Sequence, residues 1–163
     1  MLSFSQTTGY AILALGCIEN GNGRRVQSEG IQACTGVPMP YLRKILHSLG
    51  KAGLVQTKRG QQGGFLLARP ADQITLMDVL QAVEGSDGLP DCLLRLPGCS
   101  DENPCPLRSF WKKKRAEIEA FLRRVTVAEA AGPVRAADGS LMCCLPANLT
   151  PTGRRRGPTG RRD

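Results

Sequence analysis

"YLRKILHSLGKAGLVQTKRGQQGGFLLARP", residues 41–70, changes its period once in the middle, and that change decides the fold. Leu42, Ile45, Leu46 and Leu49 recur at the three-and-four spacing of a helix, while Arg43, Lys44, His47 and Lys51 fall on its other side. Gly53 stops this helix from the position just past its C-cap, where glycine takes the left-handed conformation at least cost. After it, LVQTK reads as a strand, RGQQGG as a glycine-rich turn and FLLAR as a returning strand. Upstream, Pro38 and Pro40 stand at the helix entrance, where a missing N–H costs little. Before them EGIQAC, residues 29–34, forms a short helix that Ser28 is placed to cap, and it ends in the turn TGVP. Two short helices around a tight turn, followed by a hairpin, make a helix-turn-helix with a wing.

The flanks fit this frame. Residues 7–18, TTGYAILALGCI, read as a helix with Tyr10, Leu13, Ala14 and Cys17 on one stripe, stopped by the GNG at 21–23. Cys17 on that stripe and Cys34 at the end of the short helix read as core cysteines. Thr75 and Asp78 form a T-x-x-D capping box, with Ile74 stapling onto Val79, and the helix LMDVLQAVEG ends at Gly85. From Leu107 to Ala131 a long amphipathic helix carries Leu107, Trp111, Ile118, Phe121, Leu122 and Val125 inward. That is more apolar surface than one small winged domain needs, so the helix is expected to pair with its copy in a homodimer. The expected fold is mainly α with a small β-hairpin wing, a winged helix-turn-helix with a long C-terminal dimerisation helix. Its parts are a DNA-binding region at 1–85, a cysteine loop at 88–106 and the dimerisation helix at 107–131. Residues 132–163, rich in Gly, Pro and Arg without periodicity, are expected to be a disordered basic tail.

Charge is distributed in blocks. Arg24 to Arg69 holds eight Lys/Arg against Glu29, a balance of +7; Asp72 to Glu102 holds seven acids against Arg95, a balance of −6. Arg108 to Arg124 returns to +5, and six Arg against two Asp follow from Pro133. A concentrated basic block on a helix-turn-helix is the footprint of a nucleic-acid binder. No run approaches the roughly 20 apolar residues of a membrane span, and the N-terminus lacks a basic region before its apolar stretch. A cytoplasmic protein without membrane contact is expected, and no acid, base and nucleophile converge as in an enzyme.

"CLLRLPGCSDENPC", residues 92–105, carries Cys92, Cys99 and Cys105 in Gly/Pro-rich surroundings, three of the chain's seven cysteines. Three thiolates on an irregular loop can converge on an iron–sulfur cluster and leave one iron corner open. Structural zinc sites favour paired CxxC hooks and four ligands, which this loop lacks; a thiol switch is the other reading. Cys143 and Cys144 in the tail are a remote source of a further ligand.

In combination these segments resemble the IscR, NsrR and RirA regulators, the Rrf2 family. The resemblance lies in Tyr41 and Leu42 at the start of the basic helix, "GLV" at 53–55, "RGQQGGFLLARP" at 59–70, "DVLQAVEG" at 78–85 and the three loop cysteines, and it spans residues 1 to about 131. It implies a homodimeric bacterial transcription factor, each subunit holding a 2Fe-2S or 4Fe-4S cluster. It departs from the family at two places: a histidine ligand three residues after the last cysteine is Arg108 here, and an aspartate ligand just before the first helix's tyrosine is Gly9.

The expected function is therefore a DNA-binding transcriptional regulator sensing iron, redox state or nitric oxide through a cluster on Cys92, Cys99 and Cys105. On double-stranded DNA with a palindromic operator, Tyr41, Arg43, Lys44 and His47 would face the major groove. Arg59, followed by Gly60, would enter the minor groove and Ser28 would touch a phosphate. A regulator switching through thiols alone, and an iron–sulfur carrier whose winged helix binds protein, are the alternatives. The basic block favours DNA over the carrier.

Overall fold

The computed structural model describes residues 5–60 and 62–130, with two further strand pieces at 134–135 and 141–142. Helix α1 (Gln6–Glu19) is capped by Ser5, whose Oγ accepts the Thr8 N–H at 3.2 Å. A single stripe was the sequence expectation for α1, yet Thr8, Ala11, Ala14, Leu15, Gly16, Cys17 and Ile18 are all buried. The reason is its central position: the next three helices and the wing pack around it. The small residues at 11, 14 and 16, all buried, let those neighbours approach.

The helix-turn-helix comprises α2 (Ser28–Thr35) and α3 (Met39–Lys51). Gly36 ends α2 in the left-handed region, φ 68°, and its N–H bonds Gln32 O. Helix α3 buries Leu42, Ile45, Leu46 and Leu49, the four positions its period selects. Ser28 does not cap α2. Gln27 holds the N-cap position, and Ser28 is the first helical residue, its hydroxyl donating to Glu29 Oε2 at 3.1 Å.

The wing is an antiparallel pair, β1 (Val55–Lys58) and β2 (Gly64–Leu67), with Val55 opposite Leu67 and Lys58 opposite Gly64. Val26 adds a one-residue rung on the far edge, exchanging both backbone bonds with Phe65 at 2.9 and 2.8 Å. This close approach explains Gly64: a Cβ there would lie 2.8 Å from Val26 O, and its φ is +134°.

After a short 3₁₀ turn (Ala71–Gln73), helix α4 (Leu76–Glu84) begins with both halves of the capping box formed. The Thr75 hydroxyl accepts the Asp78 N–H at 3.1 Å, and the Asp78 carboxylate accepts the Thr75 N–H at 2.9 Å. Ile74 and Val79 are both fully buried in the main core.

The long helix expected over 107–131 is broken in two. Helix α5 (Arg108–Arg124) ends where Val125 turns extended, and a short α6 (Val127–Ala130) follows. Val125, Thr126 and Val127 are three consecutive β-branched residues, a poor helical run. Thr126 and Glu129 then form a capping box of their own, with bonds of 2.8 and 3.3 Å. The extended piece pairs with the α4 entrance: Leu76 N–H donates to Val125 O and Val127 N–H to Ile74 O. Val127 is thereby fully buried in the winged-helix core rather than in a dimer seam.

Cys17 and Cys34 are joined in a disulfide, Cα atoms 6.5 Å apart, which corrects their reading as independent core thiols. Helical period places each on an inward face but does not reveal that the two faces meet. The expected tail, with Cys143 and Cys144, lies outside the described residues apart from the paired strands β3 (Val134–Arg135) and β4 (Leu141–Met142). Among the described residues no helix is long and apolar enough to cross a membrane.

Candidate nucleic-acid face and cysteine centre

Helix α3 exposes Arg43, Lys44 and His47 on the face opposite its buried leucines. Tyr41 goes elsewhere. Its ring meets Tyr10 edge-on, centroids 5.8 Å apart, and its hydroxyl is hydrogen-bonded to the Thr7 hydroxyl. Tyr41 lies four residues before Ile45, on the border of the inward stripe, so the body of the protein claims it rather than the exposed face. Arg59 and Gly60 are exposed at the wing turn, Gly60 with φ +101°.

Between the wing and the start of α2 runs a groove of about 370 Å³ lined by Ser28, Glu29, Lys58, Arg59 and Gly60 among others. Lys58 is not among the residues the sequence selects; only Val55 of β1 is buried and the next three residues are exposed, so the strand shows no alternation to single it out. Arg25 braces this edge, donating to the carbonyls of Gln56 and Gly64 at 3.5 and 3.4 Å.

The second site is the cysteine loop. The Sγ atoms of Cys92, Cys99 and Cys105 all lie within 4.8 Å of one another, Cys92 buried and the others partly so. Cys92 and Cys105 sulfurs are 4.0 Å apart. The loop reaches this arrangement through two successive turns, at Arg95 (φ 51°) and Gly98 (φ 78°). Backbone bonds from Arg95 N–H to Cys92 O and from Cys99 N–H to Leu96 O close them.

Helix α5 holds the loop from outside by polar contacts. The buried Trp111 donates its indole N–H to Pro90 O at 2.8 Å, and Arg115 donates to Leu89 O at 3.2 Å. Arg115 also pairs with Asp91 at 3.0 Å, while Arg108 and Lys112 both pair with Asp101, at 2.9 and 3.0 Å. Two acids of the block read in the sequence, Asp91 and Asp101, thus lie on the basic helix that follows it. Hydrogen bonds from Arg108 and then Lys112 hold the Asp101 carboxyl below its usual range.

Thiol acidity differs between the two ends of the loop. Cys92 is lowered to about 7, chiefly by the Leu96 N–H and also by the Leu94 N–H, against the opposing effect of burial. At Cys105 the Leu107 N–H lowers the value, but burial and the neighbouring thiols of Cys99 and Cys92 raise it further, so the net direction is up. Arg108 is pushed up from its ordinary value, chiefly by Asp101 and less by the nearby Cys99. A guanidinium has no lone pair to give a metal, so the position after the last cysteine provides orientation and positive charge, not ligation.

Residues 4–132 match the Rrf2 family, described as iron-dependent transcriptional regulators. A relative in Aquifex aeolicus (strain VF5), provisionally named an HTH-type transcriptional regulator, is 33% identical over 126 residues, covering 76% of this chain and 88% of its own. Among solved structures, that of T. potens IscR is similar with a TM-score of 0.63 at 29% identity, covering 79% of this chain and 85% of that one. The fold is also that of CymR, the global cysteine regulator of B. subtilis, with a TM-score of 0.65 at 23% identity over 80% of this chain and 97% of that one. These relatives are regulators rather than enzymes. With its winged helix, its loop of three convergent thiols and a match across nearly all the described residues, the chain belongs to the Rrf2 family of transcriptional regulators.

Proposed function

We propose that this regulator binds DNA as a homodimer and adjusts its affinity through an iron–sulfur cluster held by Cys92, Cys99 and Cys105. The observation that carries the reading is the convergence of three thiol sulfurs within 4.8 Å on a loop anchored to a single helix. The donor set fits the group: three soft sulfur ligands, one of them with its acidity shifted to about 7, with no fourth His, Cys, Asp or Glu ligand grouped with them among the described residues. When bound, a cluster would supply an iron corner open to oxygen, nitric oxide or exchange. The chain's own part is to fix the loop on α5 through Trp111, Arg108 and Arg115, and to hold charge near the sulfurs.

Arg43, Lys44 and His47 on α3 are the residues proposed to read the major groove, with Arg59 in the minor groove and Ser28 and Lys58 at the phosphates. Tyr41 is left out of that set, because its hydroxyl is engaged by Thr7. The dimer reading rests on α5 and the residue before it, where Leu107, Phe110 and Phe121 are 38%, 53% and 49% exposed. Phe110 and Phe121 lie about three turns apart on one face, with the paired Lys114 and Glu117 between them. Two such subunits suit a palindromic operator.

A second reading has a specific support: Cys92 and Cys105 sulfurs at 4.0 Å are near enough for a disulfide after a small movement, which would make a cluster-free thiol switch. Anaerobic purification with iron and sulfide counts, followed by titration of one operator at fixed salt with and without cluster, separates the two. Iron and sulfide bound to wild type and lost in Cys99→Ala support the cluster. Iron-free protein with a reversible Cys92–Cys105 bond would replace it with the switch.

A further inference from the structure

The disulfide between Cys17 and Cys34 lies away from the cysteine loop, on elements the loop does not include. It joins α1, the central helix of the core, to the last turn of α2, the first helix of the helix-turn-helix. The apolar hold on α2 is slight. Of its eight residues only Ile31 is buried, and it presents Ser28, Glu29, Gly30 and Ala33 outward or partly so. The covalent tie is therefore a second hold on α2 beside the buried Ile31, and α2 leads directly through Gly36 into α3.

Access differs at the two sulfurs. Cys17 is 5% exposed, whereas Cys34 is only partly buried, at the helix end beside the turn. A small thiolate can reach Cys34 but not Cys17. Asymmetric access is the arrangement of an exchangeable pair, with one cysteine attacked and the other resolving.

We propose that Cys17 and Cys34 form a second redox site in this protein, exchanging with low-molecular-weight thiols and setting how firmly the helix-turn-helix is held. In the opening direction a thiolate attacks Cys34 Sγ, the Cys17–Cys34 bond breaks, and Cys17 leaves as a thiolate that takes a proton. A second thiolate then attacks the mixed disulfide at the small molecule's sulfur. Cys34 is released, and the two small thiols leave as one oxidised disulfide. Two electrons pass to the protein pair, and closing runs the same steps in reverse. The site is separate from the loop: its sulfurs and its helices are different.

The test uses the full chain carrying Cys92→Ser, Cys99→Ser and Cys105→Ser, equilibrated over graded ratios of reduced to oxidised glutathione. Differential alkylation with peptide mass mapping reads Cys17 and Cys34 separately from Cys143 and Cys144, and thermal unfolding is recorded at each ratio. Expected is a single two-electron transition in which both cysteines become alkylatable together. The melting temperature should fall by roughly 10 °C across it, the size expected for opening a loop closed over 17 residues in a domain of this length. Operator binding, read on cluster-loaded Cys34→Ser against wild type so that the loop cysteines are intact, should be weaker in the variant; this readout alone rests on the proposed DNA function. Cys34→Ser, whose substitution is at the more exposed position, should reproduce the reduced melting temperature and abolish the transition. Overturning results are alkylation of both cysteines at every ratio, or a complete transition that leaves the melting temperature unchanged. A normal transition, together with wild-type protein that binds no operator with or without its cluster, would uphold the redox site and sink the DNA reading instead.

Discussion

Two halves of this molecule are held together by different forces. From α1 to α4 the winged helix is organised around fully buried aliphatics: Leu15, Ile18, Ile31, Leu42, Ile45, Leu49, Ile74 and Val79 all lie at or near zero exposure. The cysteine loop with α5 has few such residues, Trp111 and Leu122 being the buried ones on that helix. It relies instead on Asp91, Asp101, Arg108, Lys112 and Arg115, and all the large exposed apolars among the described residues (Leu94, Leu96, Leu107, Phe110 and Phe121) lie in it. Burial of apolar surface gives a rigid, strongly stabilised unit, while exposed ion pairs give little stability and can be rearranged cheaply. The winged helix belongs to the first kind and the cysteine loop with α5 to the second.

The largest test of this contrast is Leu15→Ala against Phe121→Ala. Leu15 is fully buried on the central helix, so its truncation should cost about 2–5 kcal/mol in urea unfolding. Phe121 is half exposed, and its truncation should change unfolding of the single subunit by less than about 0.5 kcal/mol. Its effect should appear in sedimentation as a weakened dimer. If both variants destabilise equally, the division is wrong.

A smaller effect is expected at the α4 entrance, which joins the two halves. Thr75→Ala removes one side of a formed capping box and should cost about 1 kcal/mol, seen as a lowered denaturation midpoint with an unchanged slope.

Asp101→Asn breaks pairs with both Arg108 and Lys112, yet these charges lie near solvent and the unfolding midpoint should barely move. The Asp101 carboxyl is held below its usual range, so whatever its pairs contribute is present above that range and lost as pH falls through the lowered value. The consequence should be local. Arg108 loses its partner beside Cys99, and hydrogen exchange at 99–108 should quicken while α1 to α4 remain unchanged.

The smallest perturbation is pH itself. With its thiol lowered to about 7, Cys92 in apo protein should be alkylated with a half-maximal rate near pH 7, slowing below it. Any stability linked to that thiolate is greatest above the ordinary thiol range and is lost as pH falls through about 7. A midpoint near 9 would show that the Leu96 and Leu94 amides do not face the sulfur in solution.

Much of the winged half was legible because its forces are periodic. Leu42, Ile45, Leu46 and Leu49 follow from the repeat of one helix, and the Thr75–Asp78 box from two residues at fixed spacing. What could not be read was pairing between distant elements: Cys17 with Cys34, Tyr41 with Tyr10 and Thr7, Val127 with Ile74. Period assigns a face without naming its neighbour. The break after Arg124 is a different case, since the run Val125–Thr126–Val127 and the T-x-x-E at 126–129 were both local signals, outweighed by the apolar stripe that continues to Val125. For the loop, residue type and spacing indicated convergent sulfurs, whereas the clasp of Trp111 and Arg115 on the Pro90 and Leu89 carbonyls needed the fold.

The extended link at Val125–Val127 also bears on how α5 can move. One end of that helix is fastened to the cysteine loop, and the other is stitched by two backbone bonds to the entrance of α4. A rod pinned at both ends cannot swing. The movement left to it is a small roll about its own axis, limited by the buried Trp111 and Leu122. A rearrangement among the sulfurs would therefore reach the rest of the molecule as torque, turning the outward phenylalanines like the teeth of a gear and resetting the angle at which any mating subunit meets them.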